Sequence, residues 1–131
     1  EVLYRYRVGH ESVTSRNKSA QEAVTRRVIQ RECERVAGTP LEHATAQAML
    51  EFWWARKPER TPLKDALALN RAMGSVVEAY FEQSPEQAKL APEARKLIGN
   101  TWRWRSSKVK AADIARRALY LANAAAWRLK A

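Results

Sequence analysis

The residues best suited to chemistry lie in the last third of the chain, where aromatic and basic side chains are interspersed. Tyr120 and Trp127 are seven residues apart with Asn123 between them, so all three fall on one side of a helix. Such rings stack on bases or sugars, and an asparagine amide pairs with adenine. The neighbouring cations, which would neutralise phosphates, are Arg103, Arg105, Lys108, Lys110, Arg116, Arg117 and Arg128.

This pattern predicts a nucleic-acid-binding accessory or regulatory domain. DNA is slightly favoured over RNA, because the element predicted to contact the bases is a helix rather than an aromatic sheet surface. The charge distribution supports the prediction: of a net charge of +10, residues 94–131 carry +9, with ten basic and one acidic side chain, whereas residues 39–93 carry −2. Concentrated positive charge is typical of a phosphate-binding surface, although a solvated helix face has the same composition.

No pattern in the chain predicts catalysis, a metal site or a cofactor. The two histidines, His10 and His43, have no metal-binding or triad-like neighbours at a recognisable spacing. The single cysteine, Cys33, cannot form an intramolecular disulfide, which favours a reducing compartment and a cytoplasmic location. No apolar run approaches the roughly 18 residues of a membrane span, and no signal-peptide pattern is present. We therefore expect no membrane partner. Because the sequence shows no metal-binding cluster, a basic nuclease-like enzyme fragment is the weakest of the functions considered.

The elements that must position these residues are predicted to form a single all-α domain over residues 1–131, a bundle of four to five helices. Its length and its 46% hydrophobic content suit one packed core. Alternating residues 1–8 predict a short β-strand, and polar residues 9–18 predict a linker. The strand would pair with the alternating stretch 101–105 (TWRWR) or with a partner chain, because unpaired strand edges need a neighbour.

Capping residues, prolines and glycines mark the predicted helix ends. A capping box at Ser19–Glu22 and a glycine at position 38 predict a first helix over residues 19–37. Prolines predict further helices over 40–57 and 62–83, a short one from 85, and a restart at 92 that ends near 98. A last helix is predicted from Ser106 or Ser107 to residue 130.

The last helix has an alanine-rich arc, which is predicted to face the core, and an opposite arc of cations with two aromatic rings in its middle. The alanine-rich arc includes Ala111, Ala115, Ala118, Leu119, Ala122, Ala125, Ala126 and Leu129. Small side chains allow helices to approach closely, which favours burial of this arc. The opposite arc, with Tyr120 and Trp127, would then face a ligand; the alternative is that these rings pack on Trp102 and Trp104.

The helix over 40–56 is two-sided and suggests a second kind of function. Leu50 and Trp54 project almost opposite its main apolar stripe, and a large exposed apolar patch usually has a partner. Together with Tyr4 and Tyr6 of the strand, these residues predict an interface. The alternative function is therefore a protein-interaction module, an adaptor, inhibitor or assembly subunit, that binds an acidic protein or forms a homodimer.

Overall fold

The fold consists of helices throughout the part of the chain that the structure describes. A computed structural model describes residues 17–54 and 61–131, except for the side chain of Trp54. The helices are α1 (Lys18–Ala37), α2 (His43–Trp54), α3 (Leu63–Glu82), α4 (Pro85–Ala88), α5 (Ala91–Lys108) and α6 (Ile114–Leu129). The predicted all-α class is confirmed. The described residues contain six helices, one more than the predicted bundle of four to five, if the single turn α4 that the sequence predicts from residue 85 is counted separately.

Several helix ends follow from local signals. Gly38 ends α1 with a φ of 68°, and its amide donates a hydrogen bond to the Glu34 carbonyl at 2.8 Å. This left-handed conformation carries little strain in glycine, because glycine has no Cβ. The Ser84 hydroxyl accepts a hydrogen bond from the Gln87 amide at 3.2 Å and caps α4. These two ends lie where the sequence predicts them.

Residues 101–105 do not form a strand, and that prediction is wrong. They continue α5, which does not end near residue 98 but runs to Lys108. The four- and three-residue spacing of Ile98, Trp102 and Arg105 places all three on the buried side of α5. This helical periodicity extends over the whole segment, whereas the alternation of tryptophan and arginine covers only five residues. The predicted partner strand at 1–8 lies outside the described residues.

The helix that follows also begins later than predicted. Asp113, and not Ser106 or Ser107, caps α6. At the other end of the chain, α1 begins at Lys18, the last residue of the predicted linker over 9–18, and residues 9–16 of that linker lie outside the described residues. The consequence for the C-terminal third is a hairpin of two helices, α5 and α6, joined by residues 109–113.

The hydrophobic core lies where this hairpin packs against α2 and α3. Phe52 from α2 contacts Trp102 from α5, with ring centroids 4.7 Å apart, and Trp102 contacts Tyr120 from α6 at 5.0 Å. Leu69 and Met73 contribute the α3 side of the core. Large rings remove 150–250 Å² each from water, so these contacts provide much of the driving force that holds the hairpin in place.

Candidate nucleic-acid interface

The residues predicted to contact bases lie inside the protein. Tyr120 is 0% exposed, Trp127 5% and Asn123 6%. The indole Nε1 of Trp127 donates a hydrogen bond to the Asn70 side-chain oxygen at 2.7 Å, which fixes the ring against α3. In this fold none of the three side chains is available to stack on or pair with a base.

The burial of the two arcs of α6 is therefore the reverse of the prediction: the arc with Tyr120 and Trp127 is buried, and the alanine-rich arc is exposed. The alanine-rich arc faces outwards: Ala115, Ala118, Ala122, Ala125 and Ala126 are all exposed. The physical reason is area, because an aromatic ring buries several times more apolar surface than an alanine methyl group. The assignment of the alanine-rich arc to the core is wrong. The alternative, in which the rings pack on Trp102 and Trp104, is adopted in part: Tyr120 packs on Trp102, whereas Trp127 is held by Asn70 and Trp104 is exposed.

Arg105 has a structural position rather than one at the surface. Its side chain is buried, and Nη1 donates hydrogen bonds to the carbonyl oxygens of Glu51 at 3.0 Å and Phe52 at 3.2 Å. These carbonyls belong to the last turn of α2, where they have no partner within the helix. The guanidinium also lies 5.5 Å from the Phe52 ring centroid. Arg105 thus caps α2 and is withdrawn from any phosphate.

Arg116 is also engaged within the protein. Its Nε donates a hydrogen bond to the Asp113 carboxylate at 2.7 Å, and Nη1 donates to the Thr61 carbonyl. The hydrogen bond from the Arg116 side chain lowers the pKa of the Asp113 carboxyl below its ordinary value. With 14% of its side chain exposed, Arg116 connects the start of α6 to the start of α3.

The remaining predicted cations are exposed, and two of them lie on one side of α6. Arg117 and Arg128 are eleven residues apart, which is close to three helical turns, so they project in nearly the same direction. Arg103 is exposed on α5, and so is Lys96, seven residues earlier on the same side of that helix. Lys96 was not among the predicted residues, although its spacing from Arg103 is visible once this segment is treated as a helix.

The two pairs of cations lie on helices that approach each other closely. A Cβ placed on Gly99 would come within 3.0 Å of the Arg128 Cγ and 3.1 Å of the Ala124 carbonyl oxygen. The stem of Arg128 therefore crosses the seam between the two helices, and the seam depends on the absence of a side chain at residue 99. Further along the seam, the Ser106 hydroxyl donates a hydrogen bond to the Arg117 carbonyl at 3.4 Å.

We call the four exposed cations along this seam the basic face: Lys96, Arg103, Arg117 and Arg128. The only acidic residue within 94–131 is Asp113, and its carboxylate is paired with Arg116. No carboxylate from this part of the chain is therefore left to neutralise the basic face. Cations concentrated on two adjacent helices raise the electrostatic potential of the surface between them.

Two further predicted cations lie beside this face rather than on it. The Lys108 ammonium group lies 5.7 Å from the ring centroid of Trp104, which is 48% exposed. Trp104 follows Arg103 directly and so projects about 100° away from it around α5. Lys110 is exposed in the connection to α6. Trp104 is the one exposed ring in α5 and α6, and it was not among the predicted site residues.

The predicted protein interface is only partly described. Leu50 is 4% exposed, so this side of α2 is covered by the chain itself. Tyr4, Tyr6 and the side chain of Trp54 lie outside the described residues. Trp53 of α2 is exposed, and its ring packs edge-on against Phe52.

The chain matched no protein-family model, no curated protein and no solved structure. Over residues 17–54 and 61–131, no three histidine, cysteine, aspartate or glutamate side chains are grouped in a way that could hold a metal ion. Among the helices described, none combines the length and apolar character that crossing a bilayer requires.

Proposed function

We propose that this protein binds nucleic acid through the basic face, as a helical accessory or regulatory domain. The observation that supports the proposal is the placement of four exposed cations on the two helices that form the α5–α6 seam, with Asp113, the only acidic residue of 94–131, already paired. Binding would be to the phosphate backbone. The side chains that were expected to recognise bases, Tyr120, Asn123 and Trp127, stabilise the core instead.

Duplex DNA is the favoured form of nucleic acid. The face is formed by cations on two helices, which suits contact with the phosphates of a duplex, whereas recognition of single strands relies on aromatic platforms. Trp104 is exposed but projects away from the face, so stacking adds little there. Because phosphate contacts carry little sequence information, we expect weak sequence preference.

The salt dependence of binding tests this proposal. Each neutralised phosphate contributes about 0.9 to the slope of log affinity against log salt on duplex DNA, so four cations give a slope of about −3 to −4. Fluorescence anisotropy with a labelled duplex, a single strand and a structured RNA at several salt concentrations measures it. Absence of binding to all three at low salt, or a flat salt response, contradicts the proposal.

A pair of matched variants separates the face from the overall charge. R103E/R117E reverses two cations of the basic face, and R27E/R31E reverses two exposed cations of α1. Both variants have the same net charge. We expect at least a tenfold loss of affinity for the first and less than a threefold loss for the second. Equal losses would show that binding follows net charge and not this face.

A protein-interaction function through α2 has less support. Leu50 is buried within the chain, and the other predicted contacts, Tyr4, Tyr6 and Trp54, are not among the described side chains.

A cytoplasmic location is also proposed. Cys33 is the single cysteine of the sequence, and its buried thiol is free, so the protein needs no oxidising compartment.

A further inference from the structure

The outer side of α6 carries an apolar surface that the nucleic-acid proposal does not use. Ile114 is 74% exposed, Leu121 47% and Leu129 89%. Exposed alanines lie between these residues on the same side of the helix. We call this surface the α6 apolar arc: Ile114, Ala118, Leu121, Ala122, Ala125 and Leu129.

The spacing within the arc is that of a helix-packing seam. Ile114, Ala118, Leu121 and Ala125 are separated by four, three and four residues, which is the repeat that two packed helices share. The two alanines allow a second helix to approach closely, and Ile114 and Leu121 would pack between its side chains. The geometry of the arc therefore fits another amphipathic helix.

The charges beside the arc define the chemistry of that helix. Arg117 and Arg128 are exposed along one edge of the arc, and α6 contains no acidic residue. We propose that the α6 apolar arc binds an acidic amphipathic helix of another protein, with its apolar side on the arc and its carboxylates against Arg117 and Arg128. The apolar contacts of this proposal lie outside the basic face, but Arg117 and Arg128 belong to both surfaces, so nucleic acid and the acidic helix would compete for these two cations.

A second copy of the chain fits the arc less well. In an antiparallel pair of α6 helices, residues on the same edge face one another, so Arg117 of one copy would lie near Arg128 of the other. Like charges so close together weaken association. An acidic helix replaces this repulsion with attraction at the same two positions.

An anionic membrane surface also fits less well. Half of the arc is alanine, which removes little apolar area from water when it enters lipid. Interfacial helices place tryptophan and tyrosine at the headgroup level, but the tyrosine and tryptophan of α6, Tyr120 and Trp127, are buried in the core.

The expected affinity is moderate because α6 is short. Its 16 residues span about 24 Å, so the contact is smaller than a standard interface of about 800 Å² per partner. We expect a dissociation constant on the order of 10 µM. An interaction of this strength is accessible to anisotropy measurements with a labelled peptide.

The test uses two synthetic 21-residue helical peptides that differ only in charge. Both carry leucine at the a and d heptad positions; one has glutamate at e and g, and the other has lysine there. The full chain should bind the glutamate peptide at about 10 µM and the lysine peptide at least tenfold more weakly. Equal affinity for the two peptides, or no binding of either, would overturn the proposal.

Neutral substitutions locate the binding surface. I114Q/L121Q removes two large side chains from the arc, and L90Q/L97Q removes two equally accessible leucines that lie outside it, each 59% exposed. The first variant should lose at least tenfold in peptide affinity and the second less than twofold, while duplex DNA binding stays within twofold for both. Equal losses of peptide binding would assign it to another surface. Circular dichroism verifies that both variants remain folded.

Two other occupants are separate outcomes. Stronger binding to vesicles of equal parts phosphatidylglycerol and phosphatidylcholine than to the glutamate peptide, abolished by I114Q/L121Q, would assign the arc to a lipid surface. A dimer in light scattering that the same variant converts to a monomer would assign it to a second copy. Either result replaces the acidic helix and overturns the proposal.

Discussion

Replacing Arg105 with methionine tests whether this residue is part of the fold or part of the binding surface. Methionine keeps much of the length and volume of the side-chain stem but has no N–H groups. The variant therefore leaves the carbonyl oxygens of Glu51 and Phe52 without the donor that caps the last turn of α2. Since the side chain is buried, water cannot readily replace that donor.

The expected loss of stability is large. A hydrogen bond that involves a charged group contributes about 1.5–3 kcal/mol, and here one guanidinium nitrogen serves two acceptors, so we expect a loss of about 3 kcal/mol. The contact with Phe52 is lost as well, but the apolar methionine offsets part of that loss. For a chain of this size, 1 kcal/mol corresponds to about 4 °C, so Tm should fall by about 12 °C.

The matched control is R103M, which removes the same charge from an exposed position two residues earlier. Urea unfolding followed by circular dichroism should show a change of less than about 0.5 kcal/mol for R103M. Binding of duplex DNA, measured where both variants are folded, should show the opposite order: R103M weakens it and R105M does not. If R105M is as stable as the original chain, or weakens DNA binding more than R103M, the assignment of Arg105 as a cap is refuted.

Three further changes test other parts of the structure. Gly99→Ala crowds the α5–α6 seam, since the new Cβ would lie 3.1 Å from the Ala124 carbonyl oxygen, and should cost about 1–3 kcal/mol of unfolding free energy in urea titrations. Gly74→Ala places its Cβ in open space and should stabilise by about 0.5–1 kcal/mol, so the reverse order contradicts the close approach. Asp113→Asn retains a capping oxygen but not the charge. Because the folded-state pKa of Asp113 is lowered, its carboxylate stabilises the protein above its unfolded-state pKa of about 3.9, and this stability is lost as the pH falls through the folded-state value. The Tm difference from the variant should therefore be full above about pH 5 and shrink below about pH 4, and a difference that is independent of pH excludes the charge as its cause. Asn70→Ala removes the acceptor of the Trp127 indole and should cost about 1–3 kcal/mol by the same urea titration, so unchanged stability would mean that this hydrogen bond contributes nothing.

The local signals of the sequence predicted the helical class and several helix ends correctly. Gly38 and Ser84 act on the backbone groups next to them, so their effect is visible in a few consecutive residues. The WRWR segment misled the prediction because five alternating residues resemble a strand when considered alone. Burial of Ile98, Trp102 and Arg105 on one side shows that the longer helical period prevails.

The candidate site was predicted only in part. The excess of positive charge in residues 94–131 is a property of composition, and Arg103, Arg117 and Arg128 are exposed as expected. Arg105 and Arg116 have the same guanidinium group but are not free at the surface. Arg105 donates to backbone carbonyls of α2, and Arg116 donates to the Asp113 carboxylate and to the Thr61 carbonyl. Nothing in the sequence distinguishes a guanidinium that caps a helix from one that faces water, because its partners are about 50 residues away.

The sequence by itself determined that this protein is helical and that its positive charge is concentrated near the C-terminus, since both properties depend on residue type and short-range spacing. Only the tertiary structure decided which arc of α6 is buried. Both arcs are apolar enough to pack, and the choice depends on the surfaces that α3 and α5 present: Asn70 accepts from Trp127, and Trp102 meets Tyr120. The larger area of the rings stabilises that arrangement, and the alanine-rich arc is left outside.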